Sequence, residues 1–385
     1  MKIVFTVHTY WPNKDGVQYV TQYLAEGLVQ LGHEVTVITT WEKKQNTVQM
    51  HNGVKVVYLY LKANKSIFVS GREEYTEYVL QCIRSCDCLI NCCVQSPNNN
   101  VLLKYLPSIK CKKILYMHGM HDFYIRREEF SNIKYVLWHF VMNVRWHLFY
   151  YGKKRFFQEY DTIIDIHEDS KAISFMKRLG CKANFQIIHN AVQDFNNIII
   201  TEKDLDKYPV LRDKFFLCVA NYNERKNQKM LIEAFLKVKR RDDYKLVLIG
   251  RGHEYAAELN QIVVENNASE YIYVFEDMSR EVTTKFIKMQ KCGILSSRYE
   301  VYPIFISESI ACAHPFISSN VGCVNEIPGG IVVNSIDEMS FAIQEIIQNS
   351  ALTLELGEKG YKFAIENLLQ CDKIHKLEQI ITKTN

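Results

Sequence analysis

A run rich in β-branched and aromatic residues that breaks into a loop and then into a helical pattern sets the tightest limit on what this chain can become. Lys2–Val7 reads as a strand, and the loop 8–16 that follows carries Pro12 and a lone Gly16. From there Val17, Val20, Leu24, Leu28 and Leu31 recur at helical spacing, Gly32 stops the helix, and residues 35–38 read as a second strand. Strand, loop, helix and strand make a βαβ unit, which implies parallel strands joined by a right-handed crossover. A parallel sheet has to be covered on both faces, so the expected class is α/β, doubly wound.

Further buried-strand candidates lie at 54–59, 88–93, 113–117, 162–166 and 186–188. After the charge-mixed stretch 201–214 a second set begins: strand 215–220, helix 228–238, strand 245–249 and strand 293–296. With 385 residues, two domains are expected: 1–195, and 205–362 after a linker near 195–213. A helix over 361–384 is predicted, its part from 363 onward packing back on the first domain. In doubly wound folds ligands sit beyond the carboxyl ends of the strands, so two such domains facing each other would enclose a cleft.

Composition removes other classes. A content of 48% hydrophobic and 23% charged residues, with 16 Gly and 7 Pro, is neither collagenous nor disordered. A net charge of +4 is too small for a nucleic-acid coat, so no nucleic-acid partner is expected. The first residues run straight into a strand and the 12 cysteines are diluted, which reads as a reducing cytoplasm with no disulfide framework. No run of about 18 apolar residues is present to span a bilayer.

The richest stretch for chemistry is 296–308. It leaves a strand, passes Glu300, places Pro303 where a helix would begin and puts Glu308 about a turn and a half further on. A helix start offers free N–H groups to an anion, and a carboxylate can accept from two neighbouring hydroxyls, which suits a sugar nucleotide. An N-terminal charge followed by a solvated helix face explains the spacing equally simply. On spacing alone that plainer reading ranks first.

The surroundings reverse the ranking. The strand 215–220 exits into Asn221, Tyr222, Asn223, Glu224, Arg225 and Lys226, with Lys226 just before a helix. With Glu300, Glu308 and the segment 320–327, this resembles the family 4 glycosyltransferases, retaining enzymes of the GT-B fold with a Glu-x7-Glu motif. In the amino half the likeness includes Asp15-Gly16 before a helix, residues 115–118 ending a strand in His118, and 187–192 closing the domain. The resemblance implies two Rossmann-like domains facing across a cleft and a UDP- or GDP-hexose donor. It also implies a saccharide or polyprenyl-phosphate-linked acceptor, a role in cell-surface polysaccharide synthesis, and no cofactor or metal. Glu300 would lie against the donor hexose, Glu308 would take the ribose hydroxyls, Lys226 would neutralise the leaving diphosphate, and His118 would touch the transferred sugar. Gly16, Asn221, Arg225, Tyr302, Pro303 and Ile304 would line the donor. The chain departs from the pattern where Asn221 replaces the usual Arg, a charge that Arg225 is placed to supply, and where Val301-Tyr302 and Asp15 stand for common glycines.

Other features carry two readings. His118 reads as a site residue or as a core histidine, and its position at a strand end beside Gly119 favours the site; His121 and Asp122 are polar neighbours. Cys82, Cys86, Cys88, Cys92 and Cys93 lack paired CxxC spacing and are expected as core thiols. Gly250-Arg251-Gly252 begins like a dinucleotide fingerprint, but Tyr255 stands where a third small residue is required. Residues 104–160 hold 11 Lys and Arg against 4 Asp and Glu, together with Trp138, Phe140, Trp146, Phe149, Tyr150 and Tyr151. That is a surface for peripheral contact with the inner face of an anionic membrane, or a buried helix flanked by solvated charges. A catalytically weakened sugar-nucleotide-binding subunit, motivated by Asn221, is the alternative function, and a nucleotide-sugar epimerase ranks behind it.

Overall fold

The structure, a computed structural model, describes residues 1–12, 15–41, 43, 46–64, 68–120, 133–168, 171–239 and 243–383. Among these the chain divides into two compact units, Met1–His189 with the segment from Gln370, and Asn190–Leu369.

The strands of the first unit are β1 Lys2–Val7, β2 Glu34–Trp41, β3 Thr47–His51, β4 Val54–Tyr60, β5 Lys62–Asn64, β6 Phe68–Ser70, β7 Cys88–Cys92, β8 Lys112–Tyr116, β9 Thr162–Asp165 and β10 Asn184–Ile187. Eight of them form one sheet in the order β10-β9-β8-β7-β1-β2-β4-β3, and β5 with β6 makes a separate antiparallel pair. Every neighbouring pair in the large sheet is parallel except β3 with β4. Each residue of β7 is buried, as the continuous apolar run of a doubly covered parallel strand requires. The edge strand β3 instead exposes Val48 and Met50, and nothing in its alternation marks it as a strand of the core.

The second unit holds β11 Lys214–Val219, β12 Tyr244–Gly250, β13 Ile272–Glu276, β14 Cys292–Leu295, β15 Phe316–Ser319 and β16 Gly330–Val333. These form one parallel sheet in the order β13-β12-β11-β14-β15-β16. Both units are therefore doubly wound and Rossmann-like. In each, the strand order reverses at one place, between β1 and β7 in the first and between β11 and β14 in the second. The crossovers on either side of such a point diverge and leave a crevice at the carboxyl ends of the two strands.

The end of the chain differs from the expected single helix. It is two helices, Ser350–Asn367 and Gln370–Thr382. Between them Leu368 O accepts the Val192 N–H at 2.9 Å and Leu369 bridges Val192. The apolar period runs on through this break, but the backbone there is engaged with another segment. Residues 363–367 thus belong to the second unit, and the first unit's opening segment ends at His189 rather than at 195. The last helix packs on the helix Gly16–Gln30, where a Cβ at Gly27 would meet Ile374 Cδ1 at 2.3 Å. Gln370 Nε2 donates to the Tyr19 hydroxyl at 2.9 Å, and Lys112 Nζ donates to the carbonyls of Ile380 and Lys383, both at 2.6 Å. A cation on the last free carbonyls is the favoured end for a helix.

Candidate functional site

Two of the sequence-predicted residues, Lys226 and Glu300, meet at the reversal point of the second sheet. The loop leaving β11 and the loop leaving β14 are joined by their backbones: Arg298 N–H donates to Arg225 O at 2.8 Å, and Ser296 Oγ donates to Lys226 O at 3.0 Å. This brings the Lys226 ammonium into an ion pair with Glu300 Oε1, with both side chains about 15% exposed. The same carboxylate oxygen accepts from Ser297 Oγ at 2.7 Å. A half-buried cation held by one carboxylate, in a crevice, can exchange that partner for a stronger polyanion.

The loop carrying Glu300 is braced from behind. Gly322 has φ +54° and a Cβ there would lie 2.4 Å from Val301 O, so only a glycine lets the segment 320–323 approach. Cys323 N–H donates to Val301 O at 3.3 Å, Ser319 Oγ to Ser297 O at 2.5 Å, and Asn190 Nδ2 to Tyr302 O at 3.3 Å. Pro303 caps the helix Ile304–Ala311, and among the described residues no side chain caps its first turn. Its first N–H groups are the orphan donors of a helix start, with the partial positive charge that goes with them.

Glu308, in the second turn of that helix, is 2% exposed. Its two oxygens are taken by one guanidinium: Arg280 Nη1 donates to Oε2 at 3.2 Å and Nη2 to Oε1. Arg280 opens the helix Arg280–Met289, whose cap Ser279 accepts the Val282 N–H at 3.3 Å. The sequence reading missed Arg280. Ser279 does announce a helix start, but no spacing ties position 280 to position 308.

Asn221 and Arg225 are exposed on the β11 loop, and each takes part through its carbonyl. Asn221 O accepts Gln228 Nε2 at 3.1 Å, and Arg225 O accepts the Arg298 N–H. Gly250 and Gly252 serve that loop too. A Cβ at Gly250 would lie 2.2 Å from Ala220 O, and Gly252, at φ +131°, would place one 2.4 Å from Tyr222 O.

In the first unit, Gly16 opens the helix after β1, and its cap Asp15 accepts the Gln18 N–H at 2.8 Å and Thr9 Oγ1 at 2.5 Å. His118 follows β8, its ring 4.9 Å from that of Tyr116. Its Nε2 is shielded from solvent and has no hydrogen-bond partner among the described residues. Burial pulls its pKa down from 6.5 to about 4, so the ring is neutral at neutral pH. His121 and Asp122 lie outside the described residues. The cysteines divide: Cys88 and Cys92 are buried in β7, whereas Cys82, Cys86 and Cys93 are only partly covered, unlike the core thiols expected. Cys86 Sγ lies 3.2 Å from Cys111 Sγ, a neighbour brought to it by the pairing of β7 with β8. Among the described residues no helix is long and apolar enough to cross a membrane.

Residues 201–363 match the family described as Glycosyl transferases group 1. An uncharacterized glycosyltransferase of Methanocaldococcus jannaschii is 29% identical over 225 residues, 55% of this chain and 58% of that one. The N-acetylgalactosamine-N,N'-diacetylbacillosaminyl-diphospho-undecaprenol 4-alpha-N-acetylgalactosaminyltransferase of Campylobacter jejuni is 27% identical over 203 residues, 52% of this chain and 48% of that one. The chain thus spans about half the length of the curated relatives it matches. Among solved structures, HepE of Anabaena in complex with UDP superposes with a TM-score of 0.74 at 14% identity, covering 99% of this chain and 100% of that one. At that identity the likeness is one of fold, and the fold is GT-B.

Proposed function

We propose, from a second unit that matches the family described as Glycosyl transferases group 1, that the chain is a retaining hexosyltransferase of family 4. It moves a hexose from a nucleotide-sugar donor to a saccharide or polyprenyl-phosphate-linked acceptor in cell-surface polysaccharide synthesis. The observation that carries this reading is the Lys226–Glu300 pair at the reversal point of the second sheet, beside an uncapped helix start. The glycosidic bond breaks as negative charge grows on the departing diphosphate, so fixed cations and N–H dipoles there lower the barrier. Lys226 and the first turn of Ile304–Ala311 supply that charge, and Glu300, released from Lys226 as the diphosphate arrives, lies against the hexose. Glu308, oriented by Arg280, takes the ribose hydroxyls with its remaining lone pairs. Arg225, exposed and next to Lys226, supplies a second cation in place of the one missing at Asn221. His118 and Gly16 act from the first unit, the neutral imidazole as a hydrogen-bonding partner of the transferred sugar. UDP in the complex of HepE, and the diphospho-undecaprenol in the name of the Campylobacter relative, favour a UDP-linked donor and a lipid-linked acceptor. The transfer takes place in the cytoplasm, with peripheral membrane contact through residues 104–160.

The test is a panel of UDP- and GDP-hexoses screened by thermal shift, then turnover of whichever binds. Glu300→Ala should lower turnover by at least about a hundredfold while nucleotide still raises the melting temperature. Full activity in that variant refutes its assignment. Glu308→Ala should instead weaken nucleotide affinity. The weakened-subunit reading rests on Asn221, and donor hydrolysis without acceptor decides between the two: slow release of nucleotide shows a working site, and none favours the binding subunit.

A further inference from the structure

The helix Ile133–Gly152 has two faces of opposite fate. Trp146 and Tyr150 are buried, the latter ring lying 5.1 Å from Phe157 and 5.3 Å from Phe175, and Met142 and Phe149 pack on the same core. On the other side Ile133, Leu137, Phe140, Val144, Leu148 and Tyr151 recur at steps of three and four, and each is between 43% and 78% exposed. The stripe runs the length of the 20-residue helix, more than five turns, so it is not the accident of a single residue: at about 1.5 Å per residue it is roughly 30 Å long and covers about 100° of the helix. Apolar patches of this extent mark a surface that meets another apolar phase.

The charges choose the phase. Between 131 and 158 the chain carries Lys134, Arg145, Lys153, Lys154 and Arg155 and not one Asp or Glu. Arg145 lies over the Trp146 ring at 5.1 Å and Arg155 over Phe156 at 4.6 Å, so these cations are tied to the helix and its extension. A second copy docking this face about a two-fold axis would set cations against cations. An anionic bilayer pairs them instead, and accepts the apolar stripe between its headgroups.

We propose that the face of Ile133–Gly152 bearing Leu137, Val144 and Leu148 lies in the plane of an anionic membrane, with Arg145 and residues 153–155 at the level of the lipid phosphates. The proposal deepens the membrane contact included in the functional reading, and it stands or falls apart from catalysis. It places the first unit on the surface where a lipid-linked acceptor is presented. Trp138, 54% exposed and at the margin of the stripe, sits where indole rings are favoured, between headgroup and acyl chain.

The experiment sediments the full chain with sucrose-loaded vesicles of phosphatidylcholine alone or with about 30% phosphatidylglycerol, at about 0.1 and 0.5 M NaCl. Expected is at least about tenfold stronger binding to the anionic vesicles, weakened by salt. Leu137→Glu with Leu148→Glu should weaken it at least about tenfold, with the melting temperature unchanged because both side chains are exposed. Quenching of tryptophan emission by brominated lipid should be present in the native chain and lost in Trp138→Phe. Equal binding to neutral and anionic vesicles, no binding, or a native dimer that the double Glu variant turns into monomer would overturn the proposal. Vesicle binding with no thermal shift by any nucleotide sugar would sink the catalytic reading and leave the membrane face standing.

Discussion

Replacing Arg280 by Met keeps an unbranched side chain of similar reach and removes the charge that Glu308 faces. The Glu308 side chain is 3% exposed and that of Arg280 36%, so the carboxylate is deep and its partner half open. Stripping a buried carboxylate of its cation costs about 3–5 kcal/mol, and water reaching the site from the Arg280 side reduces this to about 2–3 kcal/mol. Glu308→Gln keeps the volume and removes the charge, so Arg280→Met with Glu308→Gln should recover part of the loss, with a coupling energy of about 1.5 kcal/mol or more. The assay is urea unfolding of the full chain followed by far-ultraviolet circular dichroism. All four tryptophans, at 11, 41, 138 and 146, lie in the first unit, so their emission reports that unit separately and should not move. A coupling below about 0.5 kcal/mol, the value of an exposed pair, would show that Arg280 does not hold this carboxylate.

Three further outcomes are expected. Because burial holds His118 near 4, the unfolded chain takes up that proton first as pH falls; its contribution to stability is complete above 6.5 and is lost between 6.5 and about 4. His118→Gln should therefore flatten the acid-side fall of the melting temperature, and an unchanged slope would contradict the burial argument. Gly322→Ala forces a side chain into left-handed backbone against Val301 O, costing at least about 1–2 kcal/mol, and should weaken nucleotide binding through the Glu300 loop; wild-type affinity and melting would show that the loop is not braced there. Leu377, a fully buried residue of the last helix, should cost about 2–5 kcal/mol when cut to Ala, seen as an earlier tryptophan transition, and a transition that stays in place would mean the helix is not part of the first unit's fold.

Much of the fold could be read from local pattern. Strands β1, β2, β4, β7, β8, β11, β12 and β14 are short apolar runs bounded by polar or glycine-bearing loops, and each lies within a residue or two of its expected bounds, with β2 extending further at its end. β13, β15 and β16 were not anticipated; β13 and β16 are the partly exposed edge strands of the second sheet. Their extended state comes from parallel neighbours contributed by distant segments, not from any period of their own. The break at Leu368 was hidden for the same reason, since its competing partner, Val192, is remote in sequence.

At the site, the residue types and their order along the chain were legible, because an acid pair spaced across a helix start and a lysine before a helix are local chemistry. Alone, the sequence determined alternating strands and helices, and hence two parallel sheets with their loops at one end. Only the tertiary structure decided that Lys226 meets Glu300, that Glu308 is held by Arg280, and that Ile133, Leu137 and Leu148 of one helix face are exposed. Periodicity is set by backbone geometry within a few residues, whereas a partner is set by strand order, and strand order is chosen by the burial of the whole chain.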